Sequence, residues 1–480
     1  MPTHYLWLTL LVLAEGAVIV RAVLLDGRDP YSRAAWVMTI ILLPILGVLL
    51  YATFGEPWMS QRFRRRAAKV SRHLQSLTVG PRLQQPIEAL PGHFLPPFRQ
   101  AEAIADIDAR AGNRFSLAPD SDSAVDMLVA DIDSARRTVH LSVYIWLTDR
   151  NGVKLIEAVI RAAKRGVRCR IAADALGSRQ LIRSLHWDAM RDAGVDICPS
   201  LSLPKGFNLI TARRLDLRNH RKVAVIDSRV TYCGSQNFAD PEFRIKAKFA
   251  PWVDMMVRLE GPLALQNELI FASAWTVETG EDLSELLTST SADPVEGGET
   301  TGVAFATGPL SPRECMSGAF CSLLYAAEHE VVVTTPYFVP DQPLLAALVN
   351  CARRGVSVVL VLPERNDSAP IGAIAKSLYP QLLRAGVRIF EFKPGLLHAK
   401  TMVADSEVVL IGSANMDRRS LELNFENNML LHSPRLAEAV RERQEHYLSQ
   451  SEEVSQDEVR QRSILRRFVE NLLTMAGALF

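Results

Sequence analysis

The sequence lacks the cysteine and histidine patterns that hold metals or build disulfide frameworks. Its six cysteines include no C-x-x-C pair, and no histidine stands at metal-ligand spacing from them. Cys169, Cys233 and Cys351 lie in apolar runs, which is typical of free thiols in a protein core. We therefore expect no metal and no cofactor, and the free core thiols fit a reducing cytoplasm.

The chain also lacks an excess of positive charge. It has 54 lysines and arginines against 53 aspartates and glutamates, a net charge of +1. Proteins that bind nucleic acid concentrate basic residues to neutralise phosphates. The near-balance argues against a nuclease, and we expect no nucleic-acid partner.

Long apolar runs, by contrast, are present at the N-terminus. No residue between 34 and 54 is charged, and such a run is long enough to cross a bilayer. The run 5–25 contains Glu15 and Arg21, so it either spans or lies at the interface, and spanning is favoured. No basic stretch precedes it, which argues against a cleaved signal peptide.

Basic residues are more frequent just after the second apolar run than in the loop between the two runs. They are Arg62, Arg64, Arg65, Arg66, Lys69 and Arg72, against Arg28 and Arg33 in the loop. The positive-inside rule then predicts a multi-pass membrane protein with its C-terminal bulk in the cytoplasm.

After residue 116 the sequence alternates between helix and strand patterns. Helices are predicted over 124–136 and 153–165, and strands over 138–146 and 167–174. The pattern recurs in the second half of the chain, with Tyr144 matched by Tyr337 at an equivalent strand end. The fold class is therefore α/β, with two pseudo-twofold-related halves preceded by two transmembrane helices.

This organisation divides the chain into five regions. They are a membrane anchor of two transmembrane helices (1–55), a basic juxtamembrane linker (56–115), a first α/β half (116–290), a second half (291–450) and a basic amphipathic tail (451–480). The first half carries an insertion over 199–218, just before a repeated motif. The oligomeric state stays open, a homo-oligomer included.

The repeated motif has the form H-x-K-x4-D-x6-G-S-x-N and occurs once in each half. The first copy supplies His220, Lys222, Asp227, Ser235 and Asn237, and the second supplies His398, Lys400, Asp405, Ser413 and Asn415. Residues two apart on a strand share a face, so each His/Lys pair should point together. An imidazole attacks phosphorus or moves a proton while an ammonium holds charged oxygens, which predicts phosphodiester chemistry.

The remaining motif residues are predicted to support the histidines and lysines. The aspartates stand where each strand turns and suit anchoring better than proton transfer. The serines and asparagines suit hydrogen bonds to phosphate or to the lysines. Each histidine also needs a partner on its second nitrogen, and Asp254 and Glu426 are the candidates because both lie in apolar surroundings at matching places. Tyr144 and Tyr337 either line the pocket or only pack.

These motifs are the HKD signature of the phospholipase D superfamily, which the chain resembles over 120–450. The N-terminal segments, Trp252-Val-Asp254 and Thr335-Pro-Tyr337-Phe-Val-Pro340 make it most similar to the bacterial cardiolipin synthases, their A type above all.

The resemblance implies phosphatidyl transfer between two phosphatidylglycerol molecules, giving cardiolipin and glycerol. One histidine, with His220 favoured, would attack phosphorus to form a phosphatidyl-histidine, and His398 would serve as acid and then base. Lys222 and Lys400 would supply the positive charge, with no metal. Both lipids would be partners in the bacterial inner membrane, with the catalytic part on its cytoplasmic side. The alternative is a phospholipase D-type hydrolase on the same fold, with water as acceptor.

Overall fold

The structure is a computed structural model that describes residues 3–25, 30–56, 59–78, 90–202, 216–289 and 293–477. Most of the predicted insertion, 203–215, therefore lies outside the described residues. The N-terminal part consists of α1 (Thr3–Leu24), α2 (Pro30–Leu42), α3 (Pro44–Leu50), a π-turn (Tyr51–Gly55) and α4 (Gln61–Thr78).

The structure supports one of the two transmembrane helices that the sequence predicts. Among the described helices, Tyr5–Leu24 is the one that is long and apolar enough to cross a bilayer, and only 6% of it is buried, unlike a core helix. The second run is uncharged but breaks at Leu43 (φ −129°, ψ 72°). The cause is Pro44, which lacks an N–H and cannot continue the helix that precedes it.

The arginine inside the first apolar run is accommodated by pairing. Arg21 makes two hydrogen bonds of 2.7 and 2.8 Å to Glu56, whose carboxylate also accepts a bond of 2.9 Å from Tyr51. Trp36 and Ile40 are buried against α1 beside this pair. The broken second run is thus folded back onto α1.

The first half follows after α5 (Leu95–Ala105). Its strands are β1 (Arg110–Leu117), β2 (Thr138–Val143), β3 (Arg168–Asp174), β4 (Asp196–Ser200), β5 (Val223–Ile226), β6 (Val230–Gly234), β7 (Trp252–Val253) and β8 (Met256–Glu260). Its helices are α6 (Ser121–Ser134), α7 (Arg150–Lys164), α8 (Arg179–Ile182), α9 (Leu185–Asp192), α10 (Pro262–Thr279) and α11 (Ser284–Thr288). The predicted elements at 124–174 are present as α6, β2, α7 and β3, and the strand predicted to reach 146 ends at Val143.

The second half repeats this series. Its strands are β9 (Thr300–Thr307), β10 (Glu330–Thr334), β11 (Phe338–Val339), β12 (Ser357–Pro363), β13 (Arg388–Phe392), β14 (Leu396–Leu397), β15 (Thr401–Ala404), β16 (Val408–Gly412), β17 (Met416–Asp417), β18 (Glu426–His432) and β19 (Ser451–Glu453). Its helices are α12 (Cys315–Ala326), α13 (Gln342–Arg353), α14 (Ala369–Arg384), α15 (Pro434–Ser449), α16 (Gln456–Arg460) and α17 (Ile464–Gly477).

The two halves join in one hydrogen-bonded sheet whose strand order is nearly symmetric. The order is β19-β13-β12-β10-β15-β16-β18-β9-β1-β8-β6-β5-β2-β3-β4. Outward from the antiparallel pair β1 and β9, each half repeats the same series, so β5 corresponds to β15 and β6 to β16. This is the arrangement expected of pseudo-twofold-related halves, and it sets the two motif hairpins on opposite sides of the central pair.

Candidate active site

Each motif copy lies at the entrance to a β-hairpin. His220 and Lys222 directly precede β5, and His398 and Lys400 directly precede β15. The prediction that these pairs lie within strands was therefore wrong by a few residues. All four side chains are nevertheless buried.

The motif aspartates form the turns of the two hairpins. Asp227 and Asp405 have φ angles of 53° and 51°, and the serine after each is also left-handed, as the two central residues of a type I′ turn are. The Asp227 carboxylate accepts the backbone N–H groups of residues 136–138 at 2.7–2.9 Å. Asp405 accepts those of residues 328–330 at 2.8 Å. Both carboxylates anchor the hairpin to the start of the neighbouring strand, which fits the anchoring role expected of them.

The histidines take their second partners from the opposite half of the chain. His220 Nδ1 lies 2.8 Å from Glu426 Oε2, and His398 Nδ1 lies 2.6 Å from Asp254 Oδ1. The backbone follows the same crossing, because β7 pairs with β14 and the His220 N–H donates to the carbonyl of Phe425 at 2.9 Å. Neither half therefore contains a complete histidine site by itself.

The motif serines hold these carboxylates. Ser235 donates to Asp254 at 2.6 Å, and Ser413 donates to Glu426. They were predicted to reach phosphate or lysine, but each hydroxyl has one proton and gives it to a carboxylate. Gly234 lets the backbones approach, since a Cβ there would lie 2.2 Å from the Met255 carbonyl oxygen.

The two lysines are buried and bonded to their own motif histidines. Lys222 Nζ donates to the His220 carbonyl at 2.9 Å, and Lys400 Nζ donates to the His398 carbonyl at 2.6 Å. Burial lowers the pKa of Lys222 to about 8, against the raising effect of the two site carboxylates. Burial lowers the pKa of Lys400 to about 7, and the charge of Lys222 adds to the effect. Both ammonium groups would be stabilised by an incoming anion.

Both imidazoles are held neutral. Burial lowers the pKa of His220 to about 4 and that of His398 to about 4, and the nearby lysine charges oppose a further proton. Burial alone would raise the pKa of Asp254, but His398, Lys400 and Ser235 outweigh it and lower that pKa to about 2. The pKa of Glu426 is lowered in the same way. Each histidine thus faces an ionised carboxylate through Nδ1–H, which leaves Nε2 with a free lone pair.

The asparagines and tyrosines are not used symmetrically. Asn237 accepts the Ile145 N–H at 3.3 Å, whereas Asn415 donates to Ser420 at 3.2 Å. Tyr144 packs edge-on against His220, with ring centroids 5.0 Å apart, and its ring lies 5.5 Å from Lys222 Nζ. Tyr337 instead donates to Asp367 at 2.8 Å. Tyr144 therefore belongs to the catalytic pair's surroundings, while the contacts of Tyr337 join it to a neighbouring loop.

The sequence did not predict that Trp252 would contact a catalytic histidine. Trp252 packs against His398 with ring centroids 4.6 Å apart and stacks on Phe243 at 4.0 Å. Its position two residues before Asp254 is the signal that could have placed it. Trp252 contacts His398 much as Tyr144 contacts His220, so each imidazole packs against an aromatic ring.

Positive charge in the site comes from lysine. Within the part of the chain that the structure describes, no group of three or more His, Cys, Asp or Glu side chains could hold a metal ion. All six cysteines are unpaired thiols. The arrangement provides two neutral imidazoles, two ammonium groups and two carboxylates, a set suited to a negatively charged phosphodiester.

Comparison with known families matches most of the described fold. The family model described as "Cardiolipin synthase, PLD-like domain" matches residues 128–266 and 320–448, which contain both motifs. A second model, "Phospholipase D-nuclease N-terminal", matches residues 17–56, across the α1–α3 region. The family signal thus covers the catalytic halves and the apolar N-terminal segment alike.

Whole-chain relatives give the same result. A cardiolipin synthase A from Pectobacterium atrosepticum is 35% identical and one from Serratia proteamaculans is 34% identical, each match covering 94% of this chain and 93% of the relative. The crystal structure of phosphatidylserine synthase from Haemophilus influenzae superposes with a TM-score of 0.58 at 14% identity, covering 79% of this chain and 96% of that one, and so supports the fold. On its sequence, its paired motifs and its two-half sheet, the chain belongs to the cardiolipin synthase family of the phospholipase D superfamily.

Proposed function

We propose that the protein is a phosphatidyltransferase that makes cardiolipin and glycerol from two phosphatidylglycerol molecules. The observation that carries the proposal is the crossed pairing of His220 with Glu426 and of His398 with Asp254. It creates two oriented imidazoles in one buried site with two lysines. Such a site can form and break a bond to phosphorus without consuming a nucleotide, because one phosphodiester replaces another.

In the first step Nε2 of His220 attacks the phosphorus of one phosphatidylglycerol. The P–N bond forms as the bond between phosphorus and the glycerol headgroup oxygen breaks, and His398 gives that oxygen a proton. Glu426 stabilises the positive charge that develops on His220. His398 is neutral in the empty site, so it must gain its proton as the phosphate binds, and the anion's charge favours that gain.

In the second step the hydroxyl of another phosphatidylglycerol attacks the phosphatidyl-histidine. His398, now neutral, takes the hydroxyl proton while the new P–O bond forms and the P–N bond breaks. Lys222 and Lys400 stabilise the phosphoryl oxygens in both steps, because their ammonium groups are fixed by the carbonyl bonds described above.

The choice of His220 as the nucleophile is also a proposal. Its carboxylate, Glu426, is fully buried and receives three side-chain bonds, from His220, Ser413 and Asn424. A rigid, fully desolvated carboxylate suits the residue that must bear a lasting positive charge. Asp254 is 9% exposed, which suits a histidine that exchanges protons with changing partners.

We further propose that the protein is multi-pass with the catalytic halves in the cytoplasm. The helix α1 supplies one apolar span, and the kinked pair α2–α3 would supply the second with its outward apolar face, where Ile41, Leu42 and Leu46 are exposed. The basic helix α4 follows directly, as the positive-inside rule requires of a cytoplasmic flank.

The C-terminal tail would give the catalytic part a second contact with the bilayer. One face of α17 is bound to α14 through Thr474, which hydrogen-bonds Ser377 at 2.7 Å. The other face exposes 72% of Leu465 and 62% of Phe468. A photoreactive residue in place of Phe468 should crosslink to lipid in proteoliposomes, whereas one at the exposed Asp457 of α16 should not. Equal yields at both positions would contradict this contact.

The proposed activity is tested by incubating the purified chain with phosphatidylglycerol in detergent and measuring the products. Cardiolipin and free glycerol should appear in equal amounts. Phosphatidic acid as the main product would instead identify the hydrolase alternative, with water as acceptor. The His398→Ala variant should form neither product at a comparable rate, which serves as the control for contaminating enzymes.

A further inference from the structure

A cavity of about 680 Å³ lies beside the catalytic site but is not part of it. It is lined by α4, α10, the end of β9 and Phe425 just before β18, and its surface is mainly apolar, with Phe63, Leu269 and Phe305 among its walls. None of the two catalytic histidines and two catalytic lysines lines it. A ligand within it would therefore not present its phosphorus to the histidines.

One cation on the cavity wall is incompletely satisfied. Arg221 lies between His220 and Lys222 in sequence. Its side chain lines this cavity, whereas those of His220 and Lys222 do not. Its Nε is buried and has no hydrogen-bond partner, and its guanidinium lies 5.0 Å from the ring centroid of Phe425. Among the described residues no carboxylate forms an ion pair with it. Glu426 attracts its charge only from beyond contact distance. A partly buried guanidinium with no carboxylate in contact favours a negatively charged ligand on this wall.

Further charges at the cavity fit an anionic headgroup near its rim. Arg64 and Arg313 also line it. Glu278, the acidic residue among its described lining residues, already accepts the backbone N–H of Leu201 at 3.1 Å. The chain reaches the cavity on α4, which follows the membrane-associated segment, so bilayer lipid is the ligand within reach. An apolar wall beside arginine suits acyl chains and one phosphate.

The cavity wall is directly bonded to the catalytic groups. Arg221 follows His220, and Phe425 precedes Glu426, the carboxylate that holds the His220 ring. The His220 N–H donates to the Phe425 carbonyl at 2.9 Å. A molecule that packs against Phe425 and binds Arg221 would thus fix both sides of the His220–Glu426 pair.

We propose that this cavity binds one anionic phospholipid that does not react, with its acyl chains against α4 and α10 and its phosphate on Arg221. The lipid is an additional ligand beyond the donor and acceptor of the proposed transfer. It completes the wall behind His220 and so links the geometry of the catalytic pair to the presence of anionic lipid.

Lipid stoichiometry tests the proposal without relying on turnover. The full chain carrying His398→Asn, which stops the reaction, is equilibrated in neutral detergent with phosphatidylglycerol, and retained phospholipids are counted by native mass spectrometry. Ala274→Phe, which fills the cavity from α10, should remove one lipid per chain. Arg221→Gln should weaken the affinity for that lipid about tenfold, equivalent to ~1.4 kcal/mol. Arg229→Gln, an exposed arginine of the same hairpin paired with Glu260, is the matched control and should change neither value.

Parallel titrations separate the two sources of phosphate. Phosphatidylcholine and inorganic phosphate should each fail to replace phosphatidylglycerol at the Arg221-dependent site. If inorganic phosphate binds there as tightly as the lipid does, the acyl-chain part of the proposal is wrong. An unchanged lipid count in both Ala274→Phe and Arg221→Gln would overturn it entirely. Because the count is made on an inactive chain, it is independent of whether the active chain makes cardiolipin.

Discussion

The crossed carboxylates predict that two similar substitutions will slow different steps. Glu426→Gln and Asp254→Asn each replace a buried carboxylate with an amide of the same size. The first removes the charge facing His220, and the second removes the charge facing His398. Hydrogen bonds to charged groups contribute ~1.5–3 kcal/mol. If that contribution is made in the transition state, each variant should lose about 10- to 150-fold in turnover of phosphatidylglycerol.

A substrate with a good leaving group separates the two steps. Phosphatidyl-p-nitrophenol releases a phenolate that needs no proton from His398. In a rapid-mixing experiment the burst of p-nitrophenolate should therefore remain near normal in Asp254→Asn and be slowed about 10- to 150-fold in Glu426→Gln. Glu299→Gln, which alters an exposed ion pair with Arg435, should leave the burst unchanged.

Two other outcomes would contradict the proposed roles of the two histidines. A burst that is slowed in Asp254→Asn and normal in Glu426→Gln would make His398 the nucleophile and reverse the proposed roles. Equal slowing in both variants would refute the division of labour between the two histidines. Circular dichroism and unfolding midpoints should accompany the rates, since a buried amide can also destabilise the fold.

Three further predictions follow from the same site. His220→Ala and His398→Ala should each reduce turnover of phosphatidylglycerol by about 10²–10⁴-fold, measured as cardiolipin formed per folded chain; near-normal activity in either would contradict a shared site. Asp405→Asn weakens three backbone hydrogen bonds and should lower the free energy of unfolding by about 1–3 kcal/mol, seen in urea titrations, with a smaller effect on turnover than either histidine variant. The pKa of Lys400 is about 7 in the empty site, so kcat/KM should fall as pH rises from 7 to 9. The fall in kcat should begin at a higher pH, because bound phosphate favours the protonated lysine. A kcat/KM that is flat from pH 7 to 9 would refute the role of the ammonium.

The hairpins were predictable from the sequence because their determinants are local. The alternation of apolar residues and the Asp227-Ser228 and Asp405-Ser406 pairs specify strand, turn and strand within about fifteen residues. The α/β repeat was predictable for the same reason, since helix and strand periodicities recur in matching order. The palindromic strand order then follows from two like halves meeting at equivalent edges.

The partner of each histidine could not be read from the sequence. Asp254 and Glu426 were correctly singled out as candidates, but the pairing crosses between halves and depends on how β7 meets β14. The role of the serines was missed because each carboxylate is distant in sequence. Ser235 reaches Asp254 and Ser413 reaches Glu426 within one half, where β6 pairs with β8 and β16 pairs with β18.

The second apolar segment shows the limit of counting hydrophobic residues. Residues 34–54 satisfy the length and charge criteria for a span, yet the backbone breaks at Leu43 because of Pro44. Glu15 and Arg21 interrupt the first segment, yet it forms the continuous helix. Its arginine is neutralised by Glu56, a contact 35 residues away that hydropathy does not register.

Direct detection of the covalent intermediate tests the central claim that transfer proceeds through a histidine shared by both halves. The chain should be mixed with phosphatidylglycerol, denatured within milliseconds at alkaline pH to preserve a phosphorus–nitrogen bond, digested and analysed by mass spectrometry. The account predicts the mass of one phosphatidyl group on the peptide that contains His220, and its slower appearance in Glu426→Gln. Rapid cardiolipin formation with no phosphatidyl group on either His220 or His398 would contradict it.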